Sequence, residues 1–256
     1  MFTGRSRRAI IVGYQNKGFE NTGYNIAACS ILPVGMNRDD MTLGDIVPGE
    51  NFVNSTITFM TAGGATPRVT FGGKQVAQKY IYWAEDEASD GAGWYLEADE
   101  DAEENCNDVS IPFGSGFLVS RTKTETDATL LFAGEVATTP VTVGFANTGY
   151  NIVGNCSPVE ISLGDITPNE NFVNSTITFM TAGGATPRVT FGGKQVAQKY
   201  VYWDEDEASD GAGWYLEADE DAEENCNGVK LAPGAGFLVS RTKTETDATL
   251  TIPSPL

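Results

Sequence analysis

Carboxylates dominate the residues of this chain that could do chemistry. They run Glu85-Asp-Glu-Ala-Ser-Asp90-Gly-Ala-Gly-Trp-Tyr-Leu-Glu97, continue through Asp99, Glu100, Asp101, Glu103 and Glu104, and recur from Glu205. Hard oxygens beside glycine turns suit calcium, which draws about six to eight oxygen ligands from flexible loops. Read as a twelve-residue calcium loop, Asp86, Asp90, Gly91 and Glu97 fill positions 1, 5, 6 and 12, and Asp206, Asp210 and Glu217 are their counterparts. Ala88 at position 3 and the lack of flanking helices exclude an EF-hand. Two expectations remain: calcium held in a β-loop geometry, or a solvated acidic loop that keeps the protein soluble. The acids are too numerous and too alike to single out a glycosidase pair.

Histidine is absent, which removes Ser-His-Asp and Cys-His catalysis and the usual imidazole zinc sites. Four cysteines occur, Cys29 and Cys106 in the first half and Cys156 and Cys226 in the second. One pair per half predicts one disulfide per half, closing loops of roughly 70–80 residues and contributing about 4–5 kcal/mol each in the chain-entropy view. The competing expectation is four free thiols in a cytosolic protein. No C-x-x-C pair points to a metal. Trp83, Trp94, Trp203 and Trp214, each beside a tyrosine, are candidates for stacking on sugar rings, against the plainer reading of core aromatics. Gly114-Ser-Gly116 and Gly234-Ala-Gly236 precede strands, not helices, so they fail as phosphate-binding turns. Asn54, Asn155 and Asn174 match the N-glycosylation acceptor pattern. No residue is marked as catalytic, and the chain reads as a non-enzyme.

The net charge of −19 argues against nucleic acid, whose binding needs clustered Lys and Arg. It fits a surface protein that repels its neighbours until cations screen the charge. No apolar run reaches bilayer length, and Ala9 to Val12 is too short for a signal-peptide core.

These residues sit in a duplicated frame. Residues 50–130 recur at 170–250 with 73 of 81 positions identical, which repeats a surface as well as a fold and favours assembly or multivalent binding. The reading divides the chain into a basic arm 1–8, a β domain 9–136, a linker 137–140 and a second β domain 141–256. Alternation in Thr56–Phe59 and Arg68–Phe71 predicts strands, punctuated by Gly63-Gly64 and Gly72-Gly73. Phe117–Ser120 and Thr129–Phe132 flank a polar turn and read as a hairpin. Lys74–Lys79 and Asp99–Asn105 are expected to form single helical turns. The fold class that follows is all-β, two tandem, nearly identical β-sandwich or barrel-like domains.

Matching Val12-Gly13-Tyr14 to Val143-Gly144-Phe145 predicts Ile10, Val12 and Tyr14 facing the core and Ile11 facing out. Leu250 and Ile252 are expected to face inward. Six of the eight mismatches fall between 108 and 115, including Ser110/Lys230 and Pro112-Phe113/Ala232-Pro233, which marks a segment with different neighbours in the two copies. The expected assembly contacts are therefore Arg5, Arg7, Arg8, Ile10, Ile11, Val12, Ser110, Pro112, Phe113, Lys230, Leu250 and Ile252. The end of one molecule would meet the start of the next, by strand addition, in a non-closing head-to-tail contact.

Asn-Thr-Gly-Tyr-Asn near the start, Gly-Trp-Tyr in the middle and Gly-x-Gly-Phe before the last strands resemble secreted bacterial tandem β-domain surface proteins. The resemblance spans both copies and implies export. The expected function is a structural protein that self-assembles into an extracellular filament or surface array, with itself as partner. The alternative is a bivalent carbohydrate-binding or adhesion module.

Overall fold

The computed structural model describes residues 12–19, 23–32, 41–52, 54–60, 66–85, 87–121, 128–145, 148–180, 186–206, 208–219, 221, 223–242 and 247–254. Strand accounts for 51% and helix for 6%, so the protein is all-β, its small sheets set in a four-blade, propeller-like ring.

The first copy contributes β1 (Val12–Phe19), β2 (Gly23–Ala28), β3 (Ile46–Pro48), β4 (Thr56–Thr58), β5 (Arg68–Phe71), β6 (Lys74–Ala77), β7 (Lys79–Trp83), β8 (Gly93–Leu96), β9 (Gly116–Arg121) and β10 (Ala128–Glu135). They form a three-stranded sheet in the order β1-β10-β3, a five-stranded sheet β2-β9-β4-β7-β8 and a separate hairpin β5-β6. The second copy contributes β11 (Val141–Phe145), β12 (Gly149–Gly154), β13 (Ile161–Ser162), β14 (Thr167–Pro168), β15 (Thr176–Thr178), β16 (Arg188–Phe191), β17 (Lys194–Ala197), β18 (Lys199–Trp203), β19 (Gly213–Leu216), β20 (Lys230–Leu231), β21 (Gly236–Arg241) and β22 (Ala248–Ile252). Its sheets repeat the pattern, β11-β22-β14 and β12-β21-β15-β18-β19, with pairs β13-β20 and β16-β17.

Period-two alternation builds each core. Along β10, Ala128, Leu130 and Phe132 are buried while Thr129 and Leu131 lie partly open; along β9, Phe117, Val119 and Arg121 point the same way into the interior. The three- and five-stranded sheets of a copy share one apolar cluster, in which Phe19, Ile46, Leu130 and Phe132 meet Ile57, Tyr80, Trp94 and Phe117. Each such side chain stabilises the fold by roughly 1.5–3 kcal/mol on burial. Trp94 links the layers, donating from its indole Nε1 to Ile46 O on β3 at 3.0 Å and meeting Phe52 and Tyr82 edge-on. Trp214 does the same through Ile166 O, Phe172 and Tyr202.

Three readings of local structure need correction. Lys74–Lys79 is not helical: it covers β6 and the start of β7, because Gly72 and Gly73 both adopt positive φ (+54° and +74°) and close a two-residue hairpin turn. Asp99–Asn105 is a turn, not a helical element: the buried Asp99 carboxylate accepts the N–H groups of Glu103 and Glu104. Strands β9 and β10 do not pair with each other. They lie in different sheets, β9 between β2 and β4, and β10 between β1 and β3.

The strand alignment near the start also shifts. Phe19 pairs with Ala128 as Phe145 pairs with Ala248, so Gln15–Phe19 is the true counterpart of Val141–Phe145. Tyr14 consequently points outward, 78% exposed, while Gln15 takes the buried place of Val141 and accepts from the Ser30 N–H and Oγ. Ile10 and Ile11 lie outside the described residues, as does the whole of 1–8.

Where the copies meet, the contacts come in symmetric pairs. Ala27 bridges to Ala235 and Ser115 bridges to Val153, and these residues are counterparts, Ala27 of Val153 and Ser115 of Ala235. The Ala28 N–H donates to Gly234 O at 3.1 Å, and the Gly154 N–H donates to Gly114 O at 3.4 Å. The outer faces of β2/β9 and β12/β21 thus pack about a pseudo-two-fold axis. Glycines make the approach possible: a Cβ on Gly154 would lie 1.9 Å from Ala28 Cβ, on Gly116 2.4 Å from Ile152 Cγ2, and on Gly236 2.1 Å from Ile26 Cγ2.

Candidate functional site

The acidic loops are knitted by their own hydrogen bonds. Asp90 accepts from Asn105 Nδ2, Ser89 Oγ donates to Asp101 O, and Tyr95 OH donates to Gly91 O. Glu97 pairs with Lys79 at 2.7 Å; Asp210 and Glu217 repeat these roles with Asn225 and Lys199. Asp206 is exposed, its own backbone N–H donating to Asp204, and Asp86 lies outside the described residues. Among the described residues no three acidic, cysteine or histidine side chains converge as a metal requires. Of the expected calcium set, the described residues Asp90, Glu97, Asp210 and Glu217 are each engaged with a separate neighbour on the sheet or loop.

The expected disulfides are absent. No two of Cys29, Cys106, Cys156 and Cys226 lie at bonding distance; Cys29 and Cys156 are buried near the junction side of their sheets, while Cys106 and Cys226 are half-buried beyond β8 and β19. Even spacing in sequence said nothing of Cβ separation, which geometry alone decides. Thiol titration under denaturing conditions is expected to count four reactive groups without reductant, and fewer in the native state; a count of zero in denaturant contradicts this. Burial, aided by the nearby Glu104 and Asp99 carboxylates, pushes the Cys106 thiol upward, so it stays protonated near neutrality.

Cys29 carries a second expected result. Its thiol donates to Ile31 O at 2.7 Å, and burial pushes its pKa from 9.0 up to about 12. The folded state then holds this proton more tightly than the unfolded state. The thiol's contribution is complete below about pH 9 and is lost at about 1.4 kcal/mol per pH unit as pH climbs toward the folded value. Urea midpoints of the wild type should fall more steeply above pH 9 than those of Cys29→Ala; parallel slopes would contradict the assignment.

Trp94 and Trp214 are 1% and 0% exposed and cannot stack on an external sugar. Trp83 and Trp203 are half-buried with their indole nitrogens enclosed, Trp203 packed beside Val201 and Tyr215. Trp94 and Trp214 hold the layers together, whereas Trp203 belongs to a small cluster apart from the main core. Asn155 is fully buried, its Nδ2 donating to Val159 O, Leu231 O and Ala232 O, so it cannot accept a glycan.

The expected assembly residues part company. Arg5, Arg7, Arg8, Ile10 and Ile11 lie outside the described residues. Val12 begins β1 opposite Glu135, and β1 stands at the edge of its three-stranded sheet, paired with β10 on one side only. Leu250 and Ile252 are 0% exposed and pair with Val143 and Val141 inside copy 2, which removes them as contacts for another molecule. Ser110 is exposed and bridges to Thr42, Pro112 is exposed, and Lys230 Nζ donates to Ser162 Oγ. Phe113 is 8% exposed and joins the apolar cluster of the other copy, so the mismatched segment runs along the junction.

Among the outward elements that repeat without change are the hairpins β5-β6 and β16-β17. Residues 68–77 and 188–197 are identical in sequence. Each hairpin is a two-stranded sheet with no further strand beside it among the described residues. Arg68 Nη2 donates to Gln75 O at 2.7 Å across the first, and Val69 and Val189 stand open at 36%. The pair flanking a two-residue turn exchanges both hydrogen bonds, so Phe71/Lys74 and Val69/Val76 are bonded pairs; Arg68, Thr70, Gln75 and Ala77 turn their N–H groups outward. Beneath the first hairpin lies a cleft of about 500 Å³, walled by Phe71, Tyr80, Leu96 and Val109, with Gln78 Nε2 donating to Tyr80 OH across it. Sequence reading recognised the strand β5 and the Gly72-Gly73 break, but the helical reading of Lys74–Lys79 hid the hairpin.

No protein-family model, curated protein or solved structure matches the chain. Among the described residues no helix is long and apolar enough to cross a membrane.

Proposed function

We propose that this chain is a non-enzymatic structural protein that self-assembles into an extracellular filament or surface array. Each copy is read as a β-sandwich, its three- and five-stranded sheets enclosing one core. The observation that supports the functional reading is the pair of identical hairpin arms, one on each side of the pseudo-two-fold axis, whose outer edges meet no further strand among the described residues, while Gln75 O and Gln195 O accept from the guanidinium groups of Arg68 and Arg188. A free edge with outward N–H and C=O groups is a template for strand addition. Two equivalent edges on one molecule give a bivalent unit, and repeated edge-to-edge pairing that does not close yields an open polymer.

The contact differs from the head-to-tail joint expected from sequence. The surface between copies is used by both copies at once and leaves nothing for a third, and β22 is paired on both sides inside its own sheet, so the end of the chain offers no free strand edge. Antiparallel pairing of β6 with its equivalent in another molecule, with Gln75 opposite Ala77 so that the outward groups of the two edges meet, sets Lys74 opposite Gln78 and keeps the two lysines at opposite ends. The overall charge of −19 opposes approach, so cations promote assembly by screening. Negative-stain microscopy across a salt series tests this: filaments should lengthen with ionic strength, and monomers at every salt concentration sink the proposal.

A further inference from the structure

We infer that the junction between the copies is a self-complementary dimerisation surface, which holds two repeats together without the chain that joins them. The three sets of symmetric contacts carry this. Ala27–Ala235 mirrors Val153–Ser115, the Ala28 N–H to Gly234 O bond mirrors Gly154 N–H to Gly114 O, and the seat of Ile26 on Gly236 mirrors that of Ile152 on Gly116. Residues related by the duplication thus meet one another's counterparts, which is the pattern of an isologous interface between identical subunits. A tether alone leaves no reason for such reciprocity. Ile26 and Ile152, on the outer faces of their sheets, are nevertheless only 9% and 8% exposed, because the other copy covers them.

The partner this surface fits is a second repeat of the same sequence. The mismatches between copies then gain a physical meaning. Phe113 of copy 1 is buried in copy 2's apolar cluster, while its counterpart Pro233 is half-buried. Across the axis, Gly234 lies against Gln15 whereas Gly114 lies against Val141 and Val143. The two sides have become unlike at the points of contact, so each copy is fitted to the other more closely than to itself.

A protease site inserted between Thr138 and Thr139, which are both exposed, tests this on the full chain after folding. Once cut, the halves should elute together and give one native mass equal to the uncut 27.3 kDa chain plus the insert, down to micromolar concentration. Separation of the cut wild-type halves overturns the proposal. In the same background Gly154→Val, whose side chain meets Ala28, should release the halves on cutting, while Gly18→Ala, with open space around it, should not. Circular dichroism before cutting establishes that each variant is folded. Cut Gly154→Val halves that stay together as tightly as wild type would also overturn it. The outcome is independent of filament formation, since it concerns a surface inside the molecule.

Discussion

Replacing Trp94 with alanine is expected to lower the free energy of unfolding by about 3–5 kcal/mol, with an effect of similar size for Trp214→Ala. Each indole fills the space between two sheets, touches two aromatic rings edge-on and satisfies a carbonyl of the opposite layer. Truncation leaves a cavity that the rigid sheets cannot close and strands the carbonyl of Ile46 or Ile166. Trp→Phe should cost less, because it keeps most of the ring contacts and loses the hydrogen bond. Urea unfolding followed by circular dichroism measures both. A loss below about 1 kcal/mol for Trp94→Ala would show that the side chain is not an interlayer support.

The second large effect concerns assembly. Gln75→Pro combined with Gln195→Pro deletes one outward N–H from each arm while leaving the bonded pairs Phe71/Lys74 and Val69/Val76 in place. Filament formation should fall at least about tenfold, the equivalent of roughly 1.4 kcal/mol per contact. The thermal midpoint should hold, since Gln75 and Gln195 are exposed while Phe71, Val76, Phe191 and Val196 keep the arms packed on their cores. Gln75→Ala with Gln195→Ala keeps the N–H and should assemble as wild type does. Loss of assembly in the alanine pair as well would place the contact in the side chain instead of the strand edge.

The duplication made the repeated all-β architecture legible, and the alternation in Phe117–Arg121 and Ala128–Phe132 showed which residues enter the core. Pairing was not legible. Phe117–Ser120 and Thr129–Phe132 look like hairpin partners because local alternation carries no record of which sheet a strand joins; here they go to opposite layers. Near the start, anchoring the alignment on Val-Gly-aromatic motifs put Tyr14 inside, whereas extending Asn21–Asn25 backward without a gap brings Gly18-Phe19 onto Gly144-Phe145 and gives the observed burial.

The junction between the copies was partly visible. The clustering of mismatches between 108 and 115 was a usable signal, and the structure sets Phe113, Gly114 and Ser115 beside the other copy. The cysteine pairs misled for a physical reason. Disulfides depend on the convergence of side chains in three dimensions, and a count of residue types holds no such information. The arms were hidden by a propensity reading of Lys74–Lys79, although two consecutive glycines capable of positive φ are a strong hairpin signal.

The central claim is that strand edges on two equivalent arms build a polymer. Sedimentation velocity with matching electron microscopy, comparing wild type with the Gln75→Pro/Gln195→Pro pair at low and high salt, tests it most directly. Wild type should shift from monomer to long filaments as salt rises, and the paired variant should stay monomeric with an unchanged thermal midpoint. Filaments of equal length in the variant, or monomeric wild type throughout, would contradict the account.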